Sequence, residues 1–420
     1  MITPTPPASV PSPDSSSRSH HDESLVPAYT VPNPLRLADG SFVTTREDWI
    51  IRRRPELLDL FATHMYGRIP ASASNLKNRY EITDTHSAAL GGQATRRQIT
   101  IHFGSDPNFP KLFLLLYLPN NVTAPVPVFL VPNFHGNHTV HNDPGITLPT
   151  AWMRNDPIYG VTDNRASAAG RGANSSRWPV EAILARGYGL ATAYYGDVFP
   201  DHPSGRENSI LPFLAPDPGA PAAPAAIAAW SWAISRAADY LISDRAIDAY
   251  RLCLTGHSRL GKAVLWAGAQ DTRFGLIISN CSGCCGAAFS RRQFGETFAV
   301  INQKFPHWFT PRFHSYSGKE SDFPADQHEL LALLTPRPLL VCSAQDDAWA
   351  DPMGEYVSTL HATPVYQLFG KSGPISPQPP NLDTLFPAPL SYHIRAGKHD
   401  VLHADWQTYI NFAQTYLARK

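Results

Sequence analysis

Ser258 lies in the run YRLCLTGHSRLGKAVLWAG, where an apolar stretch gives way to a helical pattern. Gly256 stands before it and Gly261 after it, small residues that relieve crowding at a sharp strand-to-helix turn. Such a turn presents a serine hydroxyl at a sheet edge as a nucleophile. The spelling departs from the common G-x-S-x-G, because two residues rather than one separate Ser258 from the next glycine. A serine hydroxyl needs a base to take its proton, and that base needs an acid to orient it. On a turn of this kind the chain order is serine, acid, histidine.

The best-placed base is His399 in RAGKHDVLHADW, after Gly397 and ahead of a helix beginning near Ala404; His403 is the alternative, and His393 reads as structural. For the acid, the strand-like run RPLLVCSA is followed by Asp346, Asp347 and Asp351. Asp347 is the first choice and Asp346 the second. Asp351, directly before Pro352, reads as the cap of the next helix.

The elements that must position these groups follow from the apolar rhythm. Helical spacing covers Trp49 to Tyr66, and alternation around Arg97–His102 and Lys111–Leu118 indicates early strands. From Pro125 strand and helix alternate: PVPVFLVPNF, WPVEAILARG, YGLATAYYG, AAIAAWSWAISRAADYLI, YRLCLTG, GKAVLWAGAQ, FGLIISN, LLALL, RPLLVCSA and DWQTYINFAQTYLA. Such alternation implies a parallel sheet covered by helices on both faces. Two long connections, 142–177 and 200–224, are too long to be turns and are expected to frame a cleft. Residues 1–34, dense in Pro, Ser and Thr, are expected to be a disordered tail, leaving 35–420 as one catalytic domain.

Composition narrows the partners. Lys plus Arg and Asp plus Glu each total 35, a balance that argues against a general nucleic-acid or membrane-surface binder. No run approaches the roughly 20 apolar residues needed to cross a bilayer, and no basic start followed by an apolar run marks an export signal. The five cysteines, Cys253, Cys281, Cys284, Cys285 and Cys342, do not resemble a disulfide framework. Cys253 and Cys342 read as core thiols. Cys281 and Cys284 form a C-x-x-C without a second ligand pair, so packing is the better reading than a metal site.

Taken together, GHSRLGK, SGCCGAAFSRR, GET, FPHWF, DDAWADP and AGKHD resemble the bacterial glucuronoyl esterases of carbohydrate esterase family 15, over roughly residues 35–420. The resemblance implies an α/β-hydrolase, a three-layer α/β/α sandwich on a mainly parallel sheet with its site at the carboxyl ends of the strands. It implies Ser258 as nucleophile, His399 as base and Arg259 as an oxyanion-holding side chain, with Lys262 and Glu296 on uronate hydroxyls and Trp349 on the sugar. A fixed guanidinium beside the turn suits charge that appears only in the transition state.

One departure matters. Many members carry the acid as Glu at the position held here by Cys281, and a thiol supplies no comparable fixed charge at neutral pH. The acid role therefore falls to Asp347. The implied reaction is hydrolysis of 4-O-methyl-glucuronoyl esters linking glucuronoxylan to lignin alcohols, with no metal or cofactor needed. The enzyme is expected to be a monomer, secreted or periplasmic because such polymers cannot enter a cell. The alternatives are an esterase of other acyl preference, such as acetylated xylan, and a carbohydrate-binding relative that has lost turnover.

Overall fold

Long apolar runs bounded by Gly, Pro and Asn form the centre of a single ten-stranded sheet. The computed structural model describes residues 19–215 and 217–417. The strands are β1 (Arg79–Ala89), β2 (Ala94–His102), β3 (Leu112–Pro119), β4 (Val126–Asn133), β7 (Gly189–Tyr194), β8 (Ile247–His257), β9 (Leu276–Asn280), β10 (Leu339–Ala344), β11 (Thr384–Leu385) and β12 (Leu390–Arg395). A separate two-stranded ribbon, β5 (Val161–Thr162) with β6 (Arg165–Ala166), lies in the first long connection.

The sheet order is β1-β2-β3-β7-β4-β8-β9-β10-β12-β11. The pairs from β7 through β12 are parallel, and the pairs at both ends of the sheet are antiparallel. Every residue of β4, β7, β9 and β10 is buried, as expected for strands covered on both faces.

Alternate residues serve opposite layers. Leu252 and Leu254 of β8, with Leu339 and Val341 of β10, pack under the helices Ala226–Ser243, Arg259–Gln270 and Pro352–Leu368. Cys253, Leu340 and Cys342 face the other way, against the helices Val180–Ala185 and His403–Tyr416. The result is the expected α/β/α sandwich, and Cys253 and Cys342 are core thiols.

The expectation of a disordered tail over 1–34 meets two outcomes. Residues 1–18 lie outside the described residues. Residues 19–34 are held against the body: Glu23 pairs with Arg292 at 2.7 Å, Arg291 donates to the Thr30 carbonyl, and Gly295 N–H donates to the His20 carbonyl at 2.9 Å. Polar composition hid this because the partners lie about 270 positions away, in the segment after β9.

Candidate active site

The turn after β8 is built from close approaches. Ser258 has φ +55° and ψ −130° and stands directly before the helix Arg259–Gln270, its side chain making no capping hydrogen bond. Holding a serine there costs roughly 1–3 kcal/mol, which the surrounding contacts must offset. A Cβ on Gly256 would lie 2.3 Å from the Leu260 carbonyl oxygen, and one on Gly261 would lie 2.8 Å from the Ser282 Cβ. The second glycine therefore belongs where the helix crosses the segment after β9, which accounts for the longer spacing. The Ser258 N–H donates to the Asn280 carbonyl at 2.9 Å, fixing the turn to the end of β9.

His399 and Asp347 come from neighbouring strand ends. Asp347 follows β10 and His399 follows β12, and these strands pair in parallel. Asp347 Oδ2 lies 2.5 Å from His399 Nδ1, and the Asp347 side chain is only 3% exposed. With Nδ1–H donating to a carboxylate, the lone pair resides on Nε2. Asp346 is exposed, His403 is exposed at the start of the last helix, and His393 is buried within β12. Asp351 caps the helix Pro352–Leu368 by accepting from the Gly354 N–H at 2.9 Å, as its position before Pro352 suggested.

Ser258, His399 and Arg259 line one cavity of about 300 Å³. Trp152, Arg154 and Asp156 of the first long connection line it too, and Asp201 of the second. Both connections thus frame the cleft. Trp152 is fixed at its carbonyl by the Tyr194 hydroxyl at 2.9 Å and packs on His202, ring centroids 4.4 Å apart.

The Arg259 guanidinium is caged. It pairs with Asp201 and lies over the rings of Trp308 at 5.0 Å, Phe305 at 5.5 Å and Phe134 at 5.8 Å. Asp201 also accepts from Trp308 Nε1 at 2.7 Å and the Tyr195 hydroxyl at 2.8 Å, and His307 Nε2 lies 2.7 Å away. Burial alone would raise the Asp201 carboxyl; His307, Arg259 and Trp308 together hold it well below the usual range. A permanent carboxylate thus anchors one edge of the guanidinium, while the buried Arg259 Nε has no hydrogen-bond partner among the described residues.

Lys262, Glu296 and Trp349 form a different group, and none of them lines this cavity. Lys262 is buried, with its ammonium 2.6 Å from the Ser282 and Cys284 carbonyls and 3.4 Å from Glu296. Its three donors are engaged. Trp349 is half-buried, accepts from the Glu296 N–H through its carbonyl at 3.0 Å, and lies under Lys304 with Nζ 4.0 Å from the ring centre.

The family model described as "Glucuronyl esterase, fungi" matches residues 219–370. The carbohydrate esterase MZ0003 of an unknown prokaryotic organism is 45% identical over 401 residues, covering 95% of this chain and 92% of that protein. The chain belongs to carbohydrate esterase family 15. Among solved structures, the glucuronoyl esterase from Solibacter usitatus is 46% identical with a TM-score of 0.87, covering 94% of this chain and 99% of that one. A promiscuous family 15 esterase from a marine bacterial metagenome is 44% identical with a TM-score of 0.89, covering 95% and 100%.

In this family 15 chain, two residues that sequence reasoning passed over organise the site. Asn280 donates from one amide nitrogen to His257 Nδ1 at 2.9 Å and to the Asp400 carbonyl at 3.0 Å. Arg395, at the end of β12, donates to the carbonyls of Ala396, Lys398 and Asp400, each at 2.9 Å, while its Nε reaches Asp405. The only signal was position, since each stands at a strand's carboxyl end. Cys281 is a neutral thiol in this setting: burial, with Glu355 and Asp347 nearby, pushes it well above its ordinary range.

Proposed function

We propose that the protein is a serine esterase that cleaves esters of the 4-O-methyl-glucuronic acid carboxyl through an acyl-enzyme on Ser258. The observation that carries the reading is the 2.5 Å contact between His399 Nδ1 and Asp347 beside the cavity that Ser258 and Arg259 share. The names of its relatives support the substrate: the Solibacter usitatus neighbour is a glucuronoyl esterase, and a Wolfiporia cocos relative, 33% identical over 83% of this chain, is a 4-O-methyl-glucuronoyl methylesterase.

In this mechanism Ser258 Oγ attacks the ester carbonyl while His399 Nε2 takes the hydroxyl proton. The carbonyl π electrons move to oxygen, where Arg259 and the free N–H groups of the helix's first turn stabilise the oxyanion. The tetrahedral species collapses, the C–O bond to the alcohol breaks, and His399 returns the proton to the leaving oxygen. Water then repeats the sequence on the acyl-enzyme and releases glucuronate. Asp347 stays ionised and stabilises the imidazolium.

The natural substrate is glucuronoxylan esterified to lignin alcohols, and action on it takes place outside the cytoplasm. No helix among the described residues is long and apolar enough to cross a membrane. A second reading, an esterase of broader acyl preference, is favoured by the engaged donors of Lys262, which leave no free N–H for a uronate hydroxyl. Rates on a benzyl glucuronate ester and on acetylated xylan decide between them. Preference for the glucuronate ester supports the first reading, and equal or greater activity on acetyl groups overturns it.

A further inference from the structure

Three ligand atoms of different chemistry converge where β9, β10 and β12 end side by side. Cys281 Sγ, a carboxylate oxygen of Asp347 and a ring nitrogen of His399 all lie within 4.8 Å of one another. Cys281 is the first residue beyond β9, set at φ +47° with its N–H donating to the Cys342 carbonyl at 2.7 Å. Among the described residues its thiol makes one weak hydrogen bond, to Asn280 Oδ1 at 3.8 Å, and packs with Ala344 and Ala350. The three backbones are thus held by the parallel sheet and its first turns.

A thiolate, an imidazole and a carboxylate together are the ligand set of a borderline-soft divalent cation. Around such an ion, bonds of about 2.0–2.3 Å place neighbouring ligand atoms about 3.4 Å apart, within the 4.8 Å limit that already contains all three atoms. His399, its side chain 37% exposed, gives the three atoms their opening to solvent. The other half of the C-x-x-C does not contribute: Cys284 Sγ faces Cys285 Sγ at 3.7 Å.

We propose that Cys281, Asp347 and His399 form a site for a cation of the zinc class, and that its occupancy switches the esterase off. The cation takes the Nδ1 lone pair of His399 and one Asp347 oxygen, separating the pair that orients the base. The imidazole proton leaves Nδ1 and is carried on Nε2, so the nitrogen that takes the Ser258 proton in the proposed mechanism has no lone pair to accept it. The Cys281 thiol proton passes to solvent as the sulfur–metal bond forms. No electron is transferred, and a chelator reverses the change. The inhibitory half rests on the proposed role of His399; the binding half does not.

The test is a titration of the purified chain with cobalt(II), read as a thiolate-to-cobalt charge-transfer band, alongside inhibition of benzyl glucuronate hydrolysis by zinc. The proposal expects a band in the wild type that zinc displaces, its loss in Cys281→Ala and Cys281→Ser, and its retention in Cys284→Ala. It also expects the zinc concentration for half-inhibition, measured against each variant's own metal-free rate, to rise by about 100-fold or more in both Cys281 variants, since losing a ligand costs more than losing one of its supporting partners. No band in the wild type, or a band and inhibition unchanged in both Cys281 variants, overturns it. If the chain does not cleave the ester, the proposed function fails, and the cobalt band still decides the site.

Discussion

The side-chain amide of Asn280 donates to the carbonyl of Asp400 at 3.0 Å, joining the end of β9 to the residue after His399. The same nitrogen donates to His257, the residue before Ser258. One amide therefore registers the nucleophile's turn against the base's loop. The two loops also meet through the tilted pair His257 and His399, with ring centroids 4.4 Å apart.

Asn280→Ala is predicted to lower kcat by about 100-fold, the scale of a 1 Å misplacement of reacting groups, with little change in KM. Steady-state kinetics on benzyl glucuronate check this. A change confined to KM would show that Asn280 serves binding instead.

Asp347→Asn is predicted to lower kcat by about 10⁴-fold, because an amide that donates to Nδ1 sets the wrong tautomer on His399. Asp346→Asn is predicted to act as wild type, since that residue is exposed and it is Asp347 that pairs with His399 Nδ1. Measuring both variants under the same conditions separates the two neighbouring acids.

How far the site was legible differs from residue to residue. The pairing of His399 with Asp347 followed from chain order and from each residue's place after a strand, properties that sequence carries directly. The core strands were equally readable, because burial on both faces leaves unbroken apolar runs such as that of β4. β1 was missed since most of its residues are exposed at the sheet's edge, and β12 since a proline-rich stretch precedes it. Asn280, Arg395 and the engagement of Lys262 were illegible for a common reason. Their partners include backbone carbonyls of loops, and no residue type announces where a carbonyl will point.

Arg395→Met is predicted to destabilise the fold by about 3–5 kcal/mol, because it leaves the buried Asp405 without its partner. It also frees the carbonyls of Lys398 and Asp400, so activity should fall even at temperatures where the variant stays folded. Thermal unfolding followed by assays well below the transition check both parts.

Glu355 is fully buried, and burial pushes its carboxyl up to about 8 despite hydrogen bonds from Ser343 and Gly283. The native state keeps this proton up to that pH, while the unfolded chain releases it near 4.5. The contribution is therefore full below the unfolded value and is lost as pH rises through the folded one, with a slope of at most about 1.4 kcal/mol per pH unit. Glu355→Gln is predicted to remove this slope, so denaturant unfolding should show the variant gaining on the wild type from about pH 5 to 8. A constant difference across that window would contradict it.

The central claim is that the hydroxyl of Ser258 becomes covalently acylated during turnover. Rapid acid quenching of the enzyme mixed with benzyl glucuronate, followed by peptide mass analysis, tests it most directly. The account predicts a glucuronoyl adduct on the peptide containing Ser258, formed faster than steady-state turnover or at the same rate, and no adduct or turnover in Ser258→Ala. Sustained hydrolysis by Ser258→Ala, or an adduct on another residue, would contradict it.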